Sequence, residues 1–166
     1  MPTGPAARIL DPVLHPLPGM LMPGPGSMNV FIGSLPAWRG VSAAAAAAIQ
    51  AAKAASEATL DAAAAATVAA AGTPGAPAAV TAEETAKTTA AAAMSSTITG
   101  GAGGADIHIC ATLMPPQPHG PGVVIDGSQT VMINNLPACR VGDTILEALG
   151  PPNKIMMGLP TVIIGG

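Results

Sequence analysis

Residues 26–39 read GSMNVFIGSLPAWR, and residues 127–140 read GSQTVMINNLPACR. The Gly, Ser, Val, Ile, Leu, Pro, Ala and Arg of the first stretch recur in the second at a constant offset of 101 residues. A third copy begins at residues 158–165, GLPTVIIG, and a separate Pro-Ala-Ala-Arg at residues 5–8 matches the end of both long copies. The chain therefore contains an internal repeat, which predicts a fold assembled from similar small units.

Each copy contains the triplet Val-x-Ile, whose two apolar side chains lie on one face of an extended strand. In the two long copies the triplet is followed by Gly-Ser at residues 33–34 and by Asn-Asn at residues 134–135, residue types that favour tight hairpin turns. Repeated short hairpins with small interior residues predict a mainly β structure stacked around one axis. Such hairpins form only a small apolar core, and a core that small needs an additional cross-link for stability.

The composition excludes two functional classes. Of the 166 residues, 49% are hydrophobic, 9% are charged and 1% are aromatic, with Phe31 and Trp38 as the aromatic side chains. This excludes a standard enzyme core built on large rings. Six Lys and Arg residues and a net charge of −3 cannot neutralise many phosphates, and no aromatic stacking platform is present, so a nucleic-acid binder is excluded as well.

Composition also divides the chain into three parts. Residues 1–42 and residues 105–166 are both rich in Pro, Gly, Val, Ile and Met, whereas residues 43–104 between them are dominated by Ala, Thr, Ser and Gly. The outer parts are therefore predicted to form the two halves of one β domain. The middle part is predicted to be an insert in that domain.

The first half of the insert is predicted to be a helix. Ala, the best helix former, fills most of residues 43–71, and Ser42 is a suitable N-cap. The Gly- and Pro-rich residues 72–77 then end the helix. Three charged residues at i, i+4 and i+8 predict one solvated stripe along it: Lys53, Glu57 and Asp61.

The second half is predicted to be a shorter helix that returns to the β domain. Thr81 and Glu84 have the spacing of a capping box, and the helical pattern continues to about Met94. The Gly-rich residues 100–104 predict a flexible return. Together these features favour a helical hairpin, and a low-complexity, partly disordered spacer is the alternative.

No segment has the character of a membrane span or a leader. The longest purely apolar run, residues 43–49, is far shorter than the roughly 20 residues that a membrane helix needs. The Pro- and Gly-rich start lacks the basic and apolar regions of a signal peptide. We therefore expect no stable membrane insertion and a cytoplasmic protein, whose two cysteines are thiols or metal ligands rather than a disulfide.

Several linked features resemble the PAAR-repeat proteins: three Pro-Ala-x-Arg units, Gly-Ser-x-x-Val-x-Ile strands, and Arg-x-x-Asp endings at Asp11 and Asp143. The resemblance covers residues 5–42 and 105–166. It implies a small conical β domain whose base sits on a trimeric VgrG-type spike, as the tip of a type VI secretion tube. It also implies that the protein is cytoplasmic before firing and is then delivered outward through the injection apparatus.

The resemblance further implies one structural zinc ion that ties the cone together through three histidines and one cysteine. This ligand set carries over onto His15, His108, Cys110 and His119. His108 and Cys110 are two residues apart, so both side chains lie on one face of an extended strand. Three imidazoles and one thiolate make a closed tetrahedral zinc site.

Cys139 is the alternative thiolate. The repeats align it with Ala7 and Trp38, so that position accepts any apolar residue, and a buried, non-ligating thiol is the simpler interpretation. The recurring arginines are expected to bond to turn carbonyls or to nearby aspartates: Arg8, Arg39 and Arg140.

Three functions remain to be compared. The first is a structural spike tip, with one copy on each spike trimer because three pseudo-repeats match a three-fold partner. The second is an adaptor that loads an effector through residues 43–104, since the chain ends without an extension that could be a fused effector. The third is a zinc hydrolase, which four matched ligands disfavour because no coordination position stays open. Glu147 and Asp126 also lack a recognisable catalytic spacing, so we expect a structural protein and not an enzyme.

Overall fold

The computed structural model describes residues 2–14, 19–114 and 117–165. Two long helices separate an N-terminal group of short strands from a C-terminal group, as predicted for a PAAR-like β domain with a helical insert. In chain order the elements are β1 (Gly4–Ala6), β2 (Pro12–Val13), β3 (Gly19–Met20), β4 (Phe31–Ile32), β5 (Leu35–Pro36), α1 (Ala43–Ala70), α2 (Ala76–Gly101), β6 (His108–Met114), β7 (Gln117–Val124), β8 (Met132–Ile133), β9 (Leu136–Pro137), β10 (Thr144–Glu147), β11 (Asn153–Lys154) and β12 (Leu159–Ile164).

Three antiparallel strand pairs carry the three copies of the repeat. Strand β4 pairs with β5, and β8 pairs with β9. The third pair joins the two ends of the chain, because β12 pairs with β1. The partial copy at residues 158–165 and the separate Pro-Ala-Ala-Arg at residues 5–8 are therefore two halves of one unit. In every pair a motif proline faces one apolar residue: Pro36 faces Phe31, Pro137 faces Met132, and Pro5 faces Ile163.

The turns of the two continuous hairpins have the predicted geometry. Gly33 and Ser34 have φ values of 56° and 68°, and Asn134 and Asn135 have values of 52° and 63°. Two successive residues in the left-handed region define a type I′ turn, the two-residue turn that matches the twist of paired strands. The prediction of tight hairpins at both places is confirmed.

The three Pro-Ala-x-Arg segments are joined by a closed cycle of backbone hydrogen bonds. The Ala7 N–H donates to Cys139 O at 2.9 Å, the Cys139 N–H donates to Trp38 O at 3.1 Å, and the Trp38 N–H donates to Ala7 O at 3.0 Å. A second cycle links the residue after each Arg to a proline of another segment: Ile9 N to Pro36 O, Gly40 N to Pro137 O, and Val141 N to Pro5 O. The segments therefore close around one axis, and each satisfies the buried amides of the others.

Side chains of the three motif segments fill the space around this axis. The residue at the third motif position is buried in all three segments, as alanine, tryptophan and cysteine at positions 7, 38 and 139. A second cluster lies between the hairpins and contains the motif alanines and the last Ile of each triplet: Ala6, Ala37, Ala138, Ile32, Ile133 and Ile164. The predicted stacking of small units around one axis follows from this packing.

Each motif arginine is held by an aspartate in the same way. The Arg8 N–H donates to Asp11 Oδ2 at 2.7 Å while its guanidinium donates to Oδ1 at 2.9 Å. The same pattern joins Arg140 to Asp143, with distances of 2.9 and 3.0 Å. Bonds of this charge-assisted, two-point kind fix the turn that follows each motif. The expected structural role of the arginines is confirmed.

The insert interrupts this turn in the second unit. Arg39 makes its two-point contact with Asp106, at 2.8 Å from its backbone N–H and 2.8 Å from its guanidinium. Asp106 is therefore the aspartate of the second Arg-x-x-Asp unit, displaced by the segment that enters after Val41. Since the Asp106 N–H also donates to Arg39 O at 3.1 Å, the turn is rebuilt across the insertion.

The helices differ from the predicted ones mainly in length. Ser42 caps α1 as expected, accepting a hydrogen bond from the Ala45 N–H at 3.3 Å. Helix α2 begins at Ala76 with a proline in its first turn, a favoured place for proline, so Thr81 is inside the helix rather than at a cap. Helix α2 also continues to Gly101, through part of the segment predicted as a flexible return.

The predicted solvated stripe on α1 is wrong at Lys53. This side chain is buried, and its Nζ donates to the carbonyl of Ala148 at 3.2 Å and is 3.7 Å from Glu57. Burial lowers the pKa of the Lys53 ammonium group. The spacing of the charged residues predicts one helix face, and that face contacts the β domain at Lys53.

The root of the insert packs into the β domain, and the rest extends away from it. Met94 and Ile98 of α2 and Ile49 of α1 share one core cluster with Val123 and Leu146 of the sheet. No residue between Lys53 and Met94 is buried in this fully described stretch. Within the described part of the chain, neither helix is both long enough and apolar enough to span a bilayer.

Replacing Ile98 with alanine tests the docking of the insert. Ile98 is fully buried between helix and sheet, so Ile98→Ala should lower the free energy of unfolding by about 2–5 kcal/mol. The matched control is Val68→Ala, at a residue of α1 that is 76% exposed, which should change it by less than about 0.5 kcal/mol. Denaturant unfolding at one fixed zinc concentration measures both. Equal, small effects would mean that the insert does not pack on the sheet.

Candidate metal centre

A four-stranded antiparallel sheet, in the order β11-β10-β7-β6, positions the candidate ligands. His108 of β6 and Glu147 of β10 lie opposite the same residue, Gly122 of β7, one on each side. A Cβ atom at Gly122 would lie 2.8 Å from Glu147 Cγ, so the glycine leaves room for the carboxylate side chain. The register therefore brings His108 and Glu147 into one row across the sheet.

Three side chains converge at this row. His108, Cys110 and Glu147 each offer one ligand atom, and these atoms all lie within 4.8 Å of one another. All three are buried, and Glu147 is completely inaccessible to solvent. Imidazole nitrogen, thiolate sulfur and carboxylate oxygen are the ligand types that zinc takes in proteins. The cluster has the composition and spacing of a transition-metal site.

His119 contacts this cluster from β7. Its Nδ1–H donates to Glu147 Oε2 at 2.8 Å, and its ring is buried. The ring lies against Gly150, where a Cβ would stand 2.6 Å from His119 Cε1. The carboxylate on one side and the glycine on the other fix the orientation of the imidazole.

The His108 imidazole supplies an independent indication that a cation fits here. The residue is only 2% exposed, yet neither ring nitrogen has a hydrogen-bond partner among the residues that the structure describes. Its Nε2 is 3.4 Å from Glu147 Oε1. A buried polar atom without a partner is costly, and a metal ion bound by this nitrogen would remove that cost. The residues present therefore fit a metal ion.

The ionisable groups of the cluster influence one another. Burial by itself would raise the pKa of Glu147, but the neighbouring imidazoles of His108 and His119 outweigh it and lower the pKa. Burial raises the pKa of the Cys110 thiol, and the Thr112 N–H, which donates to Cys110 Sγ at 3.4 Å, opposes that rise. The carboxylate is thus held in its charged form, the form that binds a metal.

Two of the four predicted ligands lie in the cluster itself. His108 and Cys110 belong to one cluster, and His119 contacts it through Glu147. His15 lies outside the described residues. Cys139 lies in a different environment. It is buried in the apolar core with Trp38, and burial raises the pKa of its thiol well above the usual value.

Sequence reasoning missed Glu147 as a member of the site. The residue lies in an apolar run, Ile-Leu-Glu-Ala-Leu at residues 145–149, in a chain with only nine acidic residues. A charge placed among apolar residues of a strand is rarely buried unless it is paired or bound to a metal. The apolar neighbours of Glu147 are therefore the feature of the sequence that indicates a buried, paired carboxylate.

Substituting Gly150 tests the packing of the His119 ring. Gly150 has a φ of 78°, so Gly150→Ala incurs both backbone strain and a clash with the imidazole. The matched control is Gly142→Ala, where φ is 89° but no described atom lies within 4 Å of the added Cβ, so strain alone acts. We expect a loss of about 1–2 kcal/mol in unfolding free energy for the control and clearly more for Gly150→Ala.

The accompanying measurement is the nitrogen-detected NMR spectrum of the histidine side chains. Gly150→Ala should shift the His119 signals, and Gly142→Ala should leave them in place. Equal stability losses with unshifted His119 signals would contradict the described contact.

Comparison with known proteins gives one match. Residues 116–166 match the family model of the PAAR motif, a segment that contains β7 to β12 and with them His119 and Glu147. No curated protein and no solved structure matched the chain. Proteins with this motif bind metal and are related to the spike tip of type VI secretion systems. The match, the three motif segments closed around one axis and the Ala-rich insert folded as two helices together support a PAAR-repeat protein with a helical insert.

Proposed function

We propose that the protein is the tip of a type VI secretion spike, that one copy caps a trimeric VgrG-type spike protein, and that one structural zinc ion stiffens the tip. In this role the protein performs no catalysis. It sharpens the end of the spike, supports membrane puncture and travels outward with the delivered effector. The PAAR motif supports the family role, and the surface of the β domain supports the mode of attachment.

The observation that carries the proposal is a three-fold set of exposed apolar side chains. Phe31, Met132 and Ile163 each face a motif proline at the same position of the three strand pairs. Their exposures are 58%, 55% and 60%, so three equivalent apolar groups face solvent around one axis. We call these residues the three-fold face. A trimeric partner presents three copies of one surface, so the three equivalent groups of one chain can contact all three copies.

Zinc supplies the rigidity that the small core lacks. A bound zinc ion would join β6, through His108 and Cys110, to the β7 and β10 strands that carry His119 and Glu147, while His15 remains a predicted ligand. Structural zinc contributes about 10 kcal/mol or more in small metal-dependent domains. A contribution of that size matters for a domain whose strands are mostly two residues long. Hydrolysis is disfavoured because four protein ligands would leave no coordination position open for water or a substrate.

The distal part of the insert is the place where an adaptor function would reside. Residues 54–93 are not buried against the β domain and present two helices with small side chains to solvent. Loading of an effector through residues 43–104 stays a prediction.

Charge substitutions on the three-fold face test attachment to the spike. Phe31→Asp, Met132→Asp and Ile163→Asp should each weaken binding to the trimeric VgrG-type spike protein by more than tenfold, about 1.4 kcal/mol, because docking would bury an unpaired carboxylate. Val68→Asp is the control, on a side chain that is 76% exposed on the insert. Binding is measured by surface plasmon resonance on variants with unchanged circular dichroism. If all three substituted proteins bind like the control, the three-fold face is not the docking surface.

The cysteine variants test the zinc site. Cys110→Ser should sharply lower the zinc retained by the purified, untagged protein, and Cys139→Ala, in the apolar core, should keep about one zinc per chain. Elemental mass spectrometry measures both together with the unchanged chain. Equal zinc contents in the two variants would contradict the assignment of the thiolate. Absence of zinc from freshly purified, folded, unchanged protein would contradict the zinc site itself.

A further inference from the structure

We propose that Glu147 binds the zinc ion directly through Oε1, and that His119 is a positioning residue that holds the other carboxylate oxygen. This inference rests on the zinc site proposed above. It replaces the third imidazole of the predicted ligand set with a carboxylate.

The distance between Glu147 Oε1 and His108 Nε2 supports direct binding of the carboxylate to the ion. Two ligand atoms bound to one zinc ion at about 2.0–2.1 Å and tetrahedral angles stand roughly 3.3 Å apart. Glu147 Oε1 is 3.4 Å from His108 Nε2. The contact is not a hydrogen bond, since His108 Nε2 has no hydrogen-bond partner among the described residues. The two atoms have the separation of neighbouring ligands on one ion.

The contact with His119 is of a different kind. Its Nδ1 is 2.8 Å from Glu147 Oε2, which is the length of a charge-assisted hydrogen bond and shorter than the separation of two zinc ligands. Oε2 is thereby engaged by the imidazole, while Oε1 lies on the side of His108. A ligating carboxylate is commonly held by such an outer hydrogen bond, which fixes its orientation.

The repeat gives the same assignment independently of these distances. Cys110 lies four residues after Asp106, the aspartate of the second unit. Glu147 lies four residues after Asp143, the aspartate of the third unit. His15 follows Asp11 at the same interval. The three units therefore place one thiol, one carboxylate and one imidazole at equivalent positions of the sequence. His119 has no such place in the repeat.

Charge balance favours the carboxylate as well. A thiolate and a carboxylate bound directly to the ion together neutralise its two positive charges. His108, Cys110, His119 and Glu147 are each at most 7% exposed. A buried net charge is costly to desolvate, and a buried carboxylate needs a cationic partner for the same reason.

Extended X-ray absorption fine structure at the zinc edge tests the inference on the full-length protein, because imidazole ligands give a multiple-scattering signature that can be counted. The unchanged protein should contain one sulfur ligand and no more than two imidazoles. His119→Gln, which keeps a donor for Oε2, should leave the imidazole count unchanged and lower zinc affinity by about 10–100-fold. Glu147→Gln should lower the affinity, measured by chelator competition, by more than about 100-fold. Glu57→Gln, at a side chain that is 51% exposed, is the control and should change neither quantity.

Three imidazoles in the unchanged protein, or the loss of one in His119→Gln, would overturn the inference. An unchanged zinc affinity in Glu147→Gln would also overturn it. The zinc site itself would survive each of these results, because it fails only if the unchanged protein binds no zinc. Should a variant not fold, three imidazoles in the unchanged protein would by themselves still overturn the inference.

Discussion

A closed cycle of backbone hydrogen bonds among Ala7, Trp38 and Cys139 holds the three motif segments together, and the other elements are arranged around it. Each of these residues donates to one neighbouring segment and accepts from the other, so none of the three segments is an edge. The motif arginines, fixed by their aspartates, then direct the chain away from the axis at equivalent places. The strands that carry His108, Cys110 and Glu147 follow the arginine–aspartate turns in the sequence, β6 after Asp106 and β10 after Asp143.

The insertion point shows why the fold tolerates two long helices. The insert enters the connection between Arg39 and Asp106, which are joined by the same two-point contact that closes the short Arg-x-x-Asp turns. Because these contacts already fix the ends, a long insert adds little loop-closure cost. Its root then packs beside β7 and β10, and Lys53 bonds to Ala148, next to Glu147. Leu146 of the helix-packing cluster and Glu147 of the metal centre are neighbours in β10, so their side chains face opposite sides of the sheet.

The internal repeat was sufficient to predict the hairpins, their turns and the family, because Val-x-Ile and the turn residues act locally. Other features depend on long-range contacts. The aspartate partner of Arg39 could not be identified, since the insert separates Asp106 from the motif. The burial of Lys53 was not visible, because charged residues at i and i+4 mark one helix face without saying what it meets. For the candidate site, the sequence supplied His108, Cys110 and His119, whereas the inclusion of Glu147 depends on the register across Gly122.

In the proposed function, one chain with three quasi-equivalent units caps a three-fold partner. Native mass spectrometry of the protein mixed with a VgrG-type spike trimer measures this stoichiometry, because the mass of a complex does not depend on its shape. We expect a complex of one chain and three spike subunits, with about one zinc ion. A complex with three chains on one trimer would contradict it, since each chain would then occupy one partner subunit and the three-fold face would have no role.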